Sequence, residues 1–281
     1  MKTLKQYSFI GIMAILLMAT AFYISGCRKA QKEEDKQKQT EREEITKSEI
    51  KEKVSEEVYP LPSTFEITET LNEIGASFII ALTNDVENAD KYVTEEKQVL
   101  NLGVYSADLS YATTYNMKQY IMDYMDANRT LVDELGISGA YSPEFVKKIK
   151  ENFNNKEQLV DMLTNSFYET YKYMNKQGNE ELALLIVAGS WVEAIYITTH
   201  ISENTYHNQK IVDLIREQES SLNKLLNILK PQSSNNSIQN VIKDLQPIKE
   251  VYDNRGNQGF TEEQVMKLQE LSGKIRNEII S

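Results

Sequence analysis

From Leu182 to Val192 the chain carries no charge and, apart from Gly189 and Ser190, only apolar side chains. A helix that is apolar on nearly every face has to be enclosed by other elements. Glu193 interrupts the run well before the 18 to 20 residues a bilayer span requires. The segment therefore predicts a helix at the centre of a water-exposed domain, and the rest of the chain has to supply its coat.

Amphipathic stripes for that coat are present along most of the sequence. Ile67, Leu71, Ile74, Phe78 and Leu82 follow one another at steps of 4, 3, 4 and 4, the period of a single helical face. Ser63 and Glu66 have the spacing of a capping box in front of it. Further helices are expected over about 94–115, 117–135, 142–151, 155–177, 180–202, 208–229, 238–252 and 262–280. Ser142-Pro143 starts one of them, Gly178-Asn179 turns the chain back, and Pro247 marks an expected bend. No segment alternates with the period of a strand. The expected fold is all-α, a multi-helix up-and-down bundle of about eight helices over residues 59–281, with a duplicated helical hairpin inside it.

The N-terminal part obeys different rules. Lys2 and Lys5 precede an apolar run from Phe9 to Tyr23, the arrangement of a secretory signal. Ile24-Ser25-Gly26-Cys27 resembles the lipobox of bacterial lipoproteins, which implies cleavage after residue 26 and lipidation of Cys27, the only cysteine in the chain. Residues 1–26 are then the signal peptide. The stretch 27–58 is charged at 19 of the 31 residues after Cys27, cannot bury a core and reads as a tether. Arg28 stands where enteric lipoproteins retained in the inner membrane carry Asp. Gln31-Lys32-Glu33-Glu34-Asp35 resembles the acidic export signal of surface lipoproteins of Bacteroidota. The resemblance implies a cell-envelope location, an outer-membrane anchor and exposure at the surface.

Charge narrows the partners. The formal net charge is −11, and two units more negative once Lys2 and Lys5 are removed. Such a chain repels nucleic acid, and no basic patch with interleaved aromatics offsets this. The expected partners are the membrane, through the lipid, and an envelope protein or small-molecule ligand.

One polar pattern recurs. Asp108-x-x-Tyr111-x-Thr113-Thr114-Tyr115 aligns with Glu193-x-x-Tyr196-x-Thr198-Thr199-His200 at a shift of 85 residues. In each case an acid lies on the apolar face of a helix, where it needs a partner, and the nearby tyrosines are the candidate donors. Asp108, Tyr111, Tyr115, Glu193, Tyr196 and His200 are thus expected to form either a buried network fixing helix register or the wall of a ligand cavity. An alternative is an enzyme or metal site built on Glu193 and His200, continued by Glu203 and His207. The chain lacks a paired Glu-x-x-His motif, a phosphate-binding loop, a His-Glu-x-x-His sequence and a nucleophile elbow, so no metal ligand set, cofactor or catalytic residue is assigned and the leading reading is non-enzymatic. Most tyrosines fall at helical spacing and are expected to pack in the core. The stretch from Leu100 to Ala112 is similar to segments in uncharacterised helical lipoproteins of Bacteroidota, a likeness that extends from about Pro62 to His200 and implies no activity.

Overall fold

The computed structural model describes residues 64–137, 141–256 and 259–281. The signal peptide, Cys27, the tether and the Ser63 end of the expected capping box lie outside these residues.

Nine α-helices stand among the described residues, one more than the approximate number expected, and no strand. They are α1 (Thr64–Ile74), α2 (Glu95–Thr114), α3 (Lys118–Glu134), α4 (Pro143–Glu151), α5 (Lys156–Lys176), α6 (Glu180–His200), α7 (Gln209–Leu229), α8 (Asn236–Asp253) and α9 (Glu262–Ile280). Their starts have local causes. Thr94, Ser142, Asn155, Asn208 and Asn235 each accept a backbone N–H in the first turn that has no partner inside the helix. Thr261 and Gln264 form a full capping box at α9. Helix α8 is continuous through Pro247.

The order is that of a bundle whose consecutive helices pack on each other, α2 on α3, α5 on α6, α6 on α7 and α8 on α9. The most extensive contact, however, joins α2 to α6, which are far apart in sequence. Helix α6 is long and apolar enough to cross a membrane by length and composition, yet most of it is buried inside the bundle, as its all-round apolarity requires. Small residues set its approach to α2. A Cβ built on Gly103 would lie 2.1 Å from the carbonyl oxygen of Ile186, and one on Gly189 would lie 2.1 Å from that of Leu100. The two contacts are reciprocal. They bring the backbones of the two helices into direct contact where they cross.

The first expected helix is shorter than its apolar stripe. It stops at Ile74, because Gly75 takes the left-handed conformation (φ +89°) while Gly75 and Ala76 donate to the carbonyls of Asn72 and Leu71. The chain then runs irregularly to Tyr92, with 3₁₀ turns at Ile80–Leu82 and Val86–Lys91. Phe78 still packs inward, against the rings of Tyr111, Tyr115 and Tyr120. Phe78 and Leu82 thus continue the apolar spacing of α1 without continuing its helix.

Candidate functional site: a buried charge cluster and the segment it holds

Asp108 on α2 and Glu193 on α6 are both fully buried. The cation that answers the carboxylates comes from α9. Arg276, 5% exposed, donates from Nε to Glu193 Oε2 at 2.9 Å and from one terminal nitrogen to Oε1 at 3.1 Å, a two-pronged fork. The same terminal nitrogen donates to the carbonyl of Leu82 at 3.2 Å, and the guanidinium lies 4.5 Å over the ring of Tyr196.

Asp108 has no cation of its own. Its Oδ2 accepts the backbone N–H of Asn84 at 3.0 Å, and its Oδ1 has no donor in reach among the described residues. Asp108 also feels the charge of Glu193, buried in the same core. Two carboxylates buried together repel unless one carries a proton. Burial, and then the charge of Glu193, pushes Asp108 well above the ordinary carboxylate range. Burial raises Glu193 as well, but Arg276 opposes that shift. Glu193 is therefore the member held as a carboxylate by Arg276, and Asp108 the member driven towards its neutral form.

The tyrosines do different work from that expected. None of them donates to either acid. The Tyr111 hydroxyl accepts the N–H of Ile79 at 2.9 Å and donates to the carbonyl of Ser77 at 3.1 Å. The Tyr115 hydroxyl is buried with no partner among the described residues. Tyr196 contributes its ring, stacked between Arg276 and His200. His200 bonds through Nδ1 to the carbonyl of Tyr196, and burial holds its pKa below the usual imidazole value. Helix α6 ends at His200, and Glu203 and His207 are exposed beyond it, so the stripe proposed for a metal is not brought together. No group of three potential metal ligands converges among the described residues.

Sequence reasoning missed Arg276 and Asn84. The signal for Arg276 was its place on the α9 stripe Val265, Leu268, Ser272, Ile275 and Ile279, all buried: an arginine there needs an acid in the core. Asn84 acts through its backbone, for which no side-chain pattern exists.

A common target unites these bonds. Between Ser77 and Asp85 the chain has little helical hydrogen bonding of its own, and the core supplies partners instead. Asp108 binds the N–H of Asn84, Arg276 the carbonyl of Leu82, Tyr111 both Ile79 and Ser77, and Tyr105 the carbonyl of Asp85 at 2.7 Å. From α3, Tyr124 donates to the hydroxyl of Thr83 at 2.5 Å. Asn84 is held again through its side chain, which donates to Tyr92 and Asn101. The outer face of this segment, with Tyr120, Asp123 and Tyr124 of α3, bounds a cleft of about 380 Å³. A second cleft, of about 240 Å³, lies between α2, α6, α8 and α9.

Comparison with family models, with curated proteins and with solved structures gives no match to this chain.

Proposed function

We propose that the chain is a lipid-anchored envelope protein whose helical domain binds a ligand or partner without chemical conversion, at the cleft over Ile80–Val86. The anchor reading rests on the lipobox-like Ile24-Ser25-Gly26-Cys27 behind an apolar run, and on the charged stretch that follows. An outer-membrane location and surface exposure belong to the same proposal and rest on Arg28 and the acidic run after it.

The binding reading rests on one observation. One fully buried carboxyl, Asp108, and a buried guanidinium, Arg276, itself held by the buried Glu193, bond the backbone of an irregular segment. Buried ionisable groups are costly, and a helix pair could be joined more cheaply by apolar side chains. Their arrangement makes sense as support for a segment whose outer face has to keep a fixed shape, since binding residues concentrate on loops held by a rigid scaffold. The rival reading, a metal or enzyme site on Glu193 and His200, is not favoured. The Glu193 carboxylate is occupied by Arg276, and His200 Nδ1 is turned to its own helix.

Ala81 is exposed in the cleft and away from the core, so Ala81→Trp fills the cleft without disturbing the cluster. A small-molecule thermal-shift screen on wild type and this variant tests the reading. Compounds that raise the melting temperature of wild type but not of the variant support it. Equal stabilisation of both proteins by every active compound, or no active compound, counts against it.

A further inference from the structure

The cleft over Ile80–Val86 contains acids and aromatic rings and no basic residue. Asp85 and Asp123 lie at its edge, Tyr120 and Tyr124 on the α3 side, and Ile80 is exposed beside them. Neither acid has a cationic partner among the described residues. Asp85 accepts a backbone N–H from Glu87, and Asp123 a side-chain N–H from Gln119, each through Oδ1, which leaves Oδ2 of each without a hydrogen-bond donor among the described residues.

The side-chain donors that line the cleft are already engaged. Asn84 Nδ2 donates to Tyr92 and Asn101, the Tyr124 hydroxyl to Thr83, and the Thr83 hydroxyl to the carbonyl of Ile80. Only the Tyr120 hydroxyl, among these, has no assigned partner. The cleft therefore offers acceptors and ring faces but few donors. A sugar requires both donors and acceptors around its hydroxyls, and an anion requires donors or cations. A protonated amine needs neither, because it brings donors only, and its charge is favoured by carboxylates and by aromatic faces. The second cleft lacks this one-sidedness. Lys97 and Lys243 share its rim with Glu96, Asp244 and Glu278, and Lys97 is turned into the C-terminal carbonyls of α9.

We infer that the cleft over Ile80–Val86 binds a primary amine on an apolar body, with the ammonium taken by Asp123 and Asp85 and the body lying against Tyr120 and Ile80. The inference rests on the reading of this cleft as the binding site and names its ligand class. Solvent-exposed ion pairs and a single ring contact give modest affinity, with Kd for a small arylalkylamine on the order of 0.1–1 mM.

Titration calorimetry on the full-length protein in detergent tests this with three probes: tyramine, its uncharged alcohol counterpart tyrosol, and the disaccharide cellobiose. Tyramine is expected to bind about fivefold or more tightly than tyrosol, an advantage that Asp123→Asn reduces to about twofold and added salt weakens. Asp85→Asn is expected to act in the same direction, and Ala81→Trp to abolish binding. All three positions lie outside the core, and unchanged melting temperatures verify that the variants fold. Absence of tyramine binding, or equal binding of tyrosol, overturns the amine assignment. If cellobiose binds instead and Ala81→Trp abolishes it, the cleft reading survives and the amine assignment does not. Tyramine binding that Ala81→Trp leaves intact overturns both.

Discussion

Arg276 grips Glu193 from α9 with two hydrogen bonds of 2.9 and 3.1 Å to the two carboxylate oxygens, inside a core where Glu193 is fully buried. The pair is not interchangeable with a neutral hydrogen bond. Glu193→Gln keeps the volume but leaves a buried guanidinium without its counter-charge, and is expected to cost about 3–5 kcal/mol in urea unfolding. Arg276→Met strands the carboxylate and is expected to cost a similar amount. The double variant should be less destabilised than the sum of the two, because neither charge is then left alone. Additive losses would mean that the two side chains are not coupled.

Asp108 behaves in the opposite way, because burial and the charge of Glu193 favour its neutral form. Asp108→Asn can keep the bond accepted from Asn84 without adding a charge beside Glu193, and is expected to be neutral or stabilising at pH 7. Asp108→Ala leaves the Asn84 N–H unpaired and opens a small void, and should cost about 1–3 kcal/mol. The pH dependence has a definite sign. A carboxyl whose folded pKa is raised contributes fully below its unfolded value, about 4, and loses that contribution as pH rises through the folded value. Asparagine does not titrate. The stability of Asp108→Asn relative to wild type should therefore increase from pH 4 towards pH 8, by up to about 1.4 kcal/mol per pH unit. Thermal melts across this range measure it, and a constant difference would place the proton elsewhere.

The helices and the burial of both acids were legible in the sequence because they follow from periodicity and from the cost of unpaired charge. The bounds of α2, α3, α5 and α6 fall within two residues of the expected ones. The error at α1 had a specific cause: Gly75 stands inside an apolar stripe whose spacing continues past it, and nothing local distinguishes a stop from a tolerated glycine. The partners of the acids were not legible. Arg276 is more than 80 residues from Glu193 along the chain, and the donor at Asn84 is a backbone N–H. Tyr111 and Tyr196 were recognised as neighbours of the acids, but their direction depends on where the 75–92 segment runs, which helix periodicity does not specify.

The crossing of α2 and α6 depends on two glycines. Alanine at Gly103 or at Gly189 would place Cβ against backbone carbonyls that have no rotamer with which to move away. Either substitution is expected to destabilise by about 1–3 kcal/mol or more by forcing the helices apart. Ala107→Gly in the same helix creates no such overlap and should cost only about 1 kcal/mol through helix propensity, plus a small packing loss. Denaturant midpoints of the three variants make the comparison. Equal losses would argue against the close crossing.

Cys27→Ala is expected to block lipidation. Labelled palmitate should enter the wild-type chain and not the variant, and the variant should leave the detergent phase on partitioning. Palmitate incorporation in Cys27→Ala would show that the anchor is not on this cysteine.

The central claim is that the buried cluster holds the segment between Ser77 and Asp85. Backbone hydrogen exchange in wild type and Asp108→Ala measures this most directly. The expected result is a selective loss of protection at Ile79 and Asn84, at least tenfold, while α6, α7 and α8 keep theirs, as local opening of a single unit requires. Unchanged protection at both amides, or a uniform loss throughout the bundle, would contradict it.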